Sequence, residues 1–149
     1  MKSRYGRILV LVLIALLSLS ACGGASEDDA IAGIAKDWLQ AFLEGDGNTL
    51  ASTTCASAAE EVATGAFMMG ALGGMLGSEI GSVLGLNTSL EFNLDNVTFT
   101  VASSDSNSAT VRLGGEMSVS MAGMFQTEPV SSIIQMAKES GNWKVCSIS

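Results

Sequence analysis

The stretch SEDDAIAGIAKDWLQAFLEGD, residues 26–46, carries the clearest helical pattern in the chain. Ser26 can cap a helix, and Asp29 stands three residues further on, as in a capping box, among acids that favour the positive end of the helix dipole. Gly45 is a typical stop signal. Between these signals, apolar residues recur at helical spacing and form one stripe, which predicts a helix packed on a core: Ile31, Ile34, Ala35, Trp38, Leu39, Phe42 and Leu43.

The C-terminal half shows the alternation of a β-sheet. The clearest strand runs over 111–121, where apolar side chains alternate with polar or small ones. Asp95-Asn96 predicts a bulge or tight turn, Pro129 an edge or strand entry, and Ser140-Gly141-Asn142 a hairpin turn. Helices followed by about four strands are an α+β order. The shorter alternating segments lie at 90–94, 97–101, 133–138 and 143–148.

The chain between these two regions is rich in glycine and methionine. A short helix is expected over 48–57 and another from about Ala58, which leads into an apolar segment at 62–86 whose single charge is Glu79. Three alternatives are open: a buried or lid-like helix, a membrane-associated helix of the glycine-zipper kind, and a loosely ordered linker. A charge at mid-membrane costs about 2.5 kcal/mol or more, which favours the first. Four glycines recur at spacings of four and would share one helix side: Gly73, Gly77, Gly81 and Gly85.

The first 21 residues are organised like a secretory signal peptide. Basic residues precede an apolar run over 8–17 that falls short of the roughly 20 residues needed to span a bilayer. The sequence Leu19-Ser20-Ala21-Cys22 resembles the lipobox of bacterial lipoproteins, and Gly23 to Ser26 fits the tether of that family. The resemblance implies cleavage before Cys22 and acylation of its thiol; the alternative is an ordinary signal peptide with a chance cysteine.

This resemblance sets the expected domains and location. Residues 1–21 would be the signal peptide, 22–26 a lipidated tether and 27–149 a single α+β domain. The membrane is then a partner through the lipid, because two or three acyl chains anchor a protein stably where one does not. The expected location is the extracytoplasmic face of the cell envelope, at the outer membrane of a two-membrane cell or otherwise on the plasma membrane.

Composition excludes several classes of function. After residue 21 the chain has four basic residues against fifteen acidic ones, a net charge of −11, so no nucleic-acid partner is expected. Histidine is absent and Tyr5, the single tyrosine, lies in the signal peptide. Without histidine, the commonest general base and metal ligand are missing. We therefore expect no enzyme, no metal site and no cofactor.

Two cysteines, Cys55 and Cys146, follow Cys22. In an oxidising compartment such a pair indicates one disulfide, which would tie the helical half to the last strand. The alternative is two separately buried thiols.

Two segments resemble the cystatin-like, nuclear transport factor 2-like superfamily: the first helix over 35–46 and the ending over 138–146. Ala109-Thr110-Val111, opening a long strand, and Glu128-Pro129-Val130 also fit. The resemblance implies helices packed on a curved antiparallel sheet of about four strands, which form a cone. That superfamily includes isomerases, cyclases, binding modules and assembly domains, so the fold does not settle the function.

Two functions remain as hypotheses. The first is a non-enzymatic interaction or structural module that presents a face to another envelope protein. The second is a binding protein that holds an apolar small molecule or lipid in the cone. A pocket formed by Met68, Met69, Met117, Val119 and Met121 would favour binding in the cone, whereas a filled cone with an exposed apolar patch would favour the interaction module.

Overall fold

The structure is a computed structural model that describes residues 26–75, 90–121 and 123–149. Three helices come first: α1 (Glu27–Glu44), α2 (Gly47–Thr53) and α3 (Ala59–Met75). Six strands follow: β1 (Leu90–Asn93), β2 (Val97–Ser104), β3 (Ser108–Met121), β4 (Met124–Pro129), β5 (Ser132–Glu139) and β6 (Asn142–Ile148). Every named strand pair is antiparallel and the sheet curls beneath the helices, so the predicted α+β class is confirmed.

Helix α1 begins and ends as its sequence predicts. The hydroxyl of Ser26 accepts a hydrogen bond of 3.1 Å from the backbone N–H of Asp29, and the Asp29 carboxylate accepts one of 3.1 Å from the N–H of Ser26. At the other end Gly45 adopts the left-handed conformation, with φ of 73°. The helix buries Ile31, Ala35 and Trp38 of the predicted stripe together with Ala41. The other members of the stripe are partly buried against the core: Ile34, Leu39, Phe42 and Leu43.

Strand β3 is the axis of the sheet. Its first half pairs with β2 on one side and β5 on the other, and its second half pairs with β1 and β4. The two halves meet at Gly115, where φ is 88° and a Cβ would overlap the carbonyl oxygen of Asn96. The same oxygen accepts a hydrogen bond of 3.2 Å from the backbone N–H of Glu116. Glycine is therefore required at this junction.

Five of the six strands coincide with the alternating segments of the sequence. β1 and β2 run one after the other along β3, and their register to β3 changes by one residue around Asp95-Asn96, so this pair is a bulge. β4 and β5 keep a single register along the other side of β3. The sequence does not predict β4, because residues 124–129 do not alternate between apolar and polar. In the structure all six are exposed. β4 is a strand because β3 is long enough to offer it a partner.

The core lies between α1 and the half of the sheet made by β2, β5, β6 and the start of β3. Ile31, Val111 and Ile134 are completely buried, and the two tryptophans nearly so. Side chains thus fill much of the concave side of the sheet, where the cone was expected. The other buried apolar residues of this cluster are Ala35, Ala41, Leu50, Ala66, Leu94, Val97, Ala109, Leu113, Met136 and Val145.

The molecule has two ends, one at each end of α1. We call the end at Glu27 the near end and the end at Glu44 the far end. At the near end, Ser104 donates a hydrogen bond of 3.0 Å to Asp28, and Lys138 contacts Glu27. At the far end, Leu43 and Glu44 border a groove with β1. The 18 residues of α1 separate the two ends by about 27 Å at 1.5 Å per residue. The β3–β4 hairpin tip, at Met121 and Met124, belongs to the far end because Met121 pairs with Leu90.

Candidate interaction surface

Helix α3 is apolar on all sides yet contributes little to the core. From Val62 to Met75 it carries no charge, a composition normally found in buried helices. Only Ala66 is fully buried among its described side chains, with Val62, Gly65, Met69 and Gly73 half-buried. The opposite side leaves large apolar groups in solvent: Phe67 is 77 % exposed, Met68 63 % and Leu72 54 %. This side of α3 is an unpartnered apolar surface among the described residues.

Glycines set how closely α3 approaches α1. A Cβ at Gly65 would lie 3.1 Å from the ring of Phe42, and a Cβ at Gly45 would lie 3.1 Å from the Cα of Gly70. At Gly73, by contrast, an added Cβ would meet no heavy atom of the described residues within 4 Å. The close packing therefore uses Gly65 and Gly70 rather than Gly73. The other predicted packing glycines, Gly77, Gly81 and Gly85, lie outside the described residues.

The far end of the sheet also exposes apolar groups. Met124 is 65 % and Phe125 81 % exposed. Phe125 borders two grooves around β1: one is shared with Leu90, Val119 and Met121, and the other runs past Glu91 and Asp95. A third groove joins β1 to α3 through Met69 and Gly70. Of the seven large apolar side chains exposed in the described chain, five lie on α3 or at this hairpin tip, and the other two are Ile133 and Ile148. We call these five residues and the three grooves the far-end surface.

Charges differ between the two ends. At the near end Lys138 donates a hydrogen bond of 2.9 Å to Glu27, which also accepts one of 3.3 Å from the indole of Trp143. The hydrogen bond and the charge of Lys138 lower the pKa of Glu27 below its ordinary value. Lys138 also lies 4.9 Å from the centre of the Trp143 ring. Glu27 is thus paired with a cation, whereas Asp28 at the same end accepts its hydrogen bond from the hydroxyl of Ser104.

Far-end carboxylates are held by amides instead. Gln40 donates to Glu44 at 2.8 Å, Asn93 to Asp95 at 3.0 Å, and Gln126 to Glu128 at 2.6 Å. An amide donor orients a carboxylate without cancelling its charge. Among the described residues that border the three far-end grooves, none is basic. The far-end surface is therefore apolar with an acidic rim.

Asp46 and Asp105 have structural roles in turns. Hydrogen bonds from the side chain and backbone of Thr49 lower the pKa of Asp46, which caps α2. Backbone and side-chain donors of Asn107 and Ser108 lower the pKa of Asp105 in the turn before β3. Both carboxylates hold local backbone, so neither is a candidate for chemistry. Among the described residues no group of three or more Cys, Asp or Glu side chains could hold a metal ion.

A cavity of about 270 Å³, mostly apolar but bordered also by Glu61 and Ser147, lies between α1, α3 and β6. Trp38, Phe42 and Val62 border it from the helices, and Cys146 and Ile148 from the strand. Its volume is just below the range of about 300–1,000 Å³ that is usual for ligand sites. It does not include the methionines that the sequence suggested as a pocket.

The Cys55–Cys146 disulfide is present, as the sequence predicts, with 4.8 Å between the two Cα atoms. The backbone around it is also fixed by hydrogen bonds: Cys55 N–H donates to the Val145 carbonyl at 2.8 Å, and Thr54 forms an isolated parallel bridge with Val145. The segment between α2 and α3 is therefore held against the last strand by covalent and polar contacts. This linkage places the base of α3 beside the cavity.

The methionines proposed as a pocket do not line one common cavity in the described chain. Met68 points to solvent, and Met69 borders the groove between α3 and β1. Met121 borders the groove at the hairpin tip, and Met117 packs against the core. Cys22, the expected lipidation site, lies outside the described residues.

Several residues of the far-end surface are not predicted from the sequence as parts of a site. Phe67 and Leu72 lie inside the glycine-rich segment, and Met124 and Phe125 lie in a segment for which the sequence predicts no element. A signal was present, because all four are large apolar residues in segments without basic charge. All four are exposed because no element of the described chain packs over them.

No protein-family model matches the chain, and no curated protein matches its sequence. Among solved structures, it is similar to the intermembrane space region of the chloroplast protein ARC6, with a TM-score of 0.56 and 14 % sequence identity. The match covers 85 % of this chain and 97 % of that one. At this identity the likeness establishes a shared fold. No helix in the described part of the chain has the length and hydrophobicity to cross a membrane.

Proposed function

We propose that this protein is a lipid-anchored, extracytoplasmic interaction module of the cell envelope that binds another protein through its far-end surface. The observation that carries the proposal is the position of the exposed apolar groups: five of the seven lie on α3 or at the hairpin tip. Exposed apolar patches of this kind are typical of interaction sites.

The anchor is supported by residues 1–22 of the sequence. Lipid on Cys22 would hold Ser26 and the near end close to the membrane, since the tether has only a few residues. With α1 directed away from the bilayer, its length would separate the far-end surface from the anchor. The disulfide fits an oxidising compartment. The ARC6 region, named for an envelope compartment, has the same kind of fold.

Site-specific photo-crosslinking in the host cell tests the proposal. A benzophenone amino acid at Met68 or Phe125 should give a crosslinked protein product that depends on light. The same group at Ser104 or Asn142, exposed near-end positions, serves as the matched control. Crosslinks of equal yield from the far-end and near-end positions would contradict the proposal, and so would crosslinks to lipid alone.

A second candidate function is the binding of an apolar small molecule in the cavity beside Cys146. The observation in its favour is the largely aromatic and aliphatic lining contributed by Trp38, Phe42 and Ile148. Native mass spectrometry of the detergent-extracted protein tests it. A retained mass that disappears in Ile148→Glu, a change at a position that borders the cavity and is 44 % exposed, would support this function.

A further inference from the structure

From the free edge of β4, we infer that the partner binds as an extended segment in which apolar residues alternate with Lys or Arg. The inference rests on the proposed function and specifies the chemistry of the partner. The part of the far-end surface at Met124 and Phe125 would be covered by one strand of another protein, with apolar and cationic residues in alternation.

Strand β4 has an unpaired edge among the described strands. Among the described strands, β4 pairs only with β3, while β6 covers β5 and ends at Ile148. The backbone N–H of Val130 points toward β3, because it donates to Gly115 at 2.9 Å. Hydrogen-bonding direction alternates along an antiparallel strand, so the N–H groups of Phe125 and Thr127 point away from β3. An added strand would continue the line of β6 and pair with these groups.

Apolar side chains lie beside this edge. Met124 and Phe125 are exposed and border a groove of about 610 Å³ with Val119 and Met121. Side chains of a strand alternate between two faces. Every second residue of an added strand would therefore lie beside this apolar groove. This position favours apolar side chains in the partner.

The sequence around β4 carries acidic residues and no basic ones. Residues 113–137 contain no Lys or Arg. Glu116, opposite Pro129 in the ladder, lies on the face away from the apolar groove, where the intervening residues of an added strand would point. Glu128, opposite Met117, lies on the groove face; both are exposed. Gln126 holds the Glu128 carboxylate by an amide contact that leaves its charge in place. A second copy would bring the same acids against each other, and an anionic bilayer would be repelled, so both occupants are disfavoured.

Binding of a defined peptide to the full chain in phosphatidylcholine nanodiscs tests the inference. The probe is a fluorescent peptide of alternating valine and lysine, with a valine–glutamate peptide as its charge-reversed control and empty nanodiscs as the blank. We expect the valine–lysine peptide alone to bind. Salt should weaken this binding, because exposed charge pairs are screened.

Four variants locate the peptide. Glu116→Gln with Glu128→Gln should raise the Kd about fivefold, while Asp28→Asn with Asp37→Asn, an equal change of net charge at exposed positions, should change it less than about twofold. Thr127→Pro removes an outward N–H and the 3.3 Å contact between the Thr127 and Ser118 hydroxyls, but no backbone bond to β3. It should abolish binding while the fold is kept, whereas Thr127→Val, which loses only the hydroxyl contact, should still bind. Equal losses in the two double variants, binding that survives Thr127→Pro, or no binding of the lysine peptide would overturn the inference.

The outcomes also separate this inference from the proposed function. If Met68 and Phe125 crosslink to a protein but the valine–lysine peptide does not bind, the interaction module is supported and the cationic strand is contradicted. Self-association in sedimentation velocity that Thr127→Pro abolishes would assign the β4 edge to a second copy and likewise overturn the inference. Loss of the crosslinks themselves would remove the proposed function.

Discussion

The indole N–H of Trp38 donates a hydrogen bond of 2.9 Å to the hydroxyl oxygen of Thr54, and both residues are buried. The bond joins the middle of α1 to the segment that pairs with Val145 on β6. It therefore connects three parts of the chain at the point where the disulfide also closes.

Replacing Thr54 with valine should destabilise the fold. The substitution keeps the shape but leaves the Trp38 N–H buried without its acceptor, which costs about 1–3 kcal/mol. Urea unfolding followed by tryptophan fluorescence measures the loss. Thr100→Val, on an exposed position of β2, is the control and should stay within about 0.5 kcal/mol. Equal effects at the two sites would contradict the role of the bond.

Removing the disulfide should have a larger effect. It links residues 91 positions apart, and in the chain-entropy model a loop of that length contributes about 4–5 kcal/mol. Cys55→Ala with Cys146→Ala should lower the free energy of unfolding by that amount. A reductant should shift the parent in the same direction and leave the double variant unchanged. A parent that is insensitive to reductant would contradict the prediction.

The contact between Glu27 and Lys138 should make stability depend on pH. The folded-state pKa of Glu27 is lowered from its ordinary value of 4.5. Its contribution is therefore present above that value and is lost as the pH falls through the folded pKa. The stability difference between the parent and Glu27→Gln should be constant near neutral pH and shrink below about pH 4.5. Urea midpoints from pH 3 to 7 measure it, and a difference that grows in acid would have the wrong sign.

Two neighbouring glycines should respond in opposite ways to alanine. Gly45 has φ of 73° and would bring its Cβ against Gly70, so Gly45→Ala should cost at least about 1–2 kcal/mol. Gly47 begins α2 with open space around it, so Gly47→Ala should be neutral or stabilise by up to about 1 kcal/mol. Thermal unfolding of the two single variants makes the comparison. Similar losses in both would show that α3 does not restrict Gly45.

Cys22→Ala tests the proposed anchor. The variant should accumulate as an uncleaved or mislocalised precursor and lose partitioning into the detergent phase, because no acylated thiol remains. Cys55→Ala, which leaves the lipobox intact, is the control for the loss of a cysteine. Partitioning that survives Cys22→Ala would point to another mode of membrane association.

The sequence by itself determined the features that local chemistry controls. α1 is specified by its cap, its acidic first turn and its apolar period, all of which act within a few residues. The alternation over 111–121 specified β3, and the glycine at 141 specified the last hairpin, where Gly141 has φ of 84°. Composition alone gave the acidic charge, and the cysteine count gave the bridge between Cys55 and Cys146.

Only the tertiary structure decided the far-end surface. β4 is a strand because β3 extends beyond Gly115, and α3 exposes Phe67 because α1 covers only the side with Gly65 and Gly70. Likewise, Glu27 meets Lys138 across 111 residues of sequence. Such contacts depend on where distant segments meet, and no local period encodes that. Whether an apolar residue becomes core or surface is decided by the partner that the fold places over it.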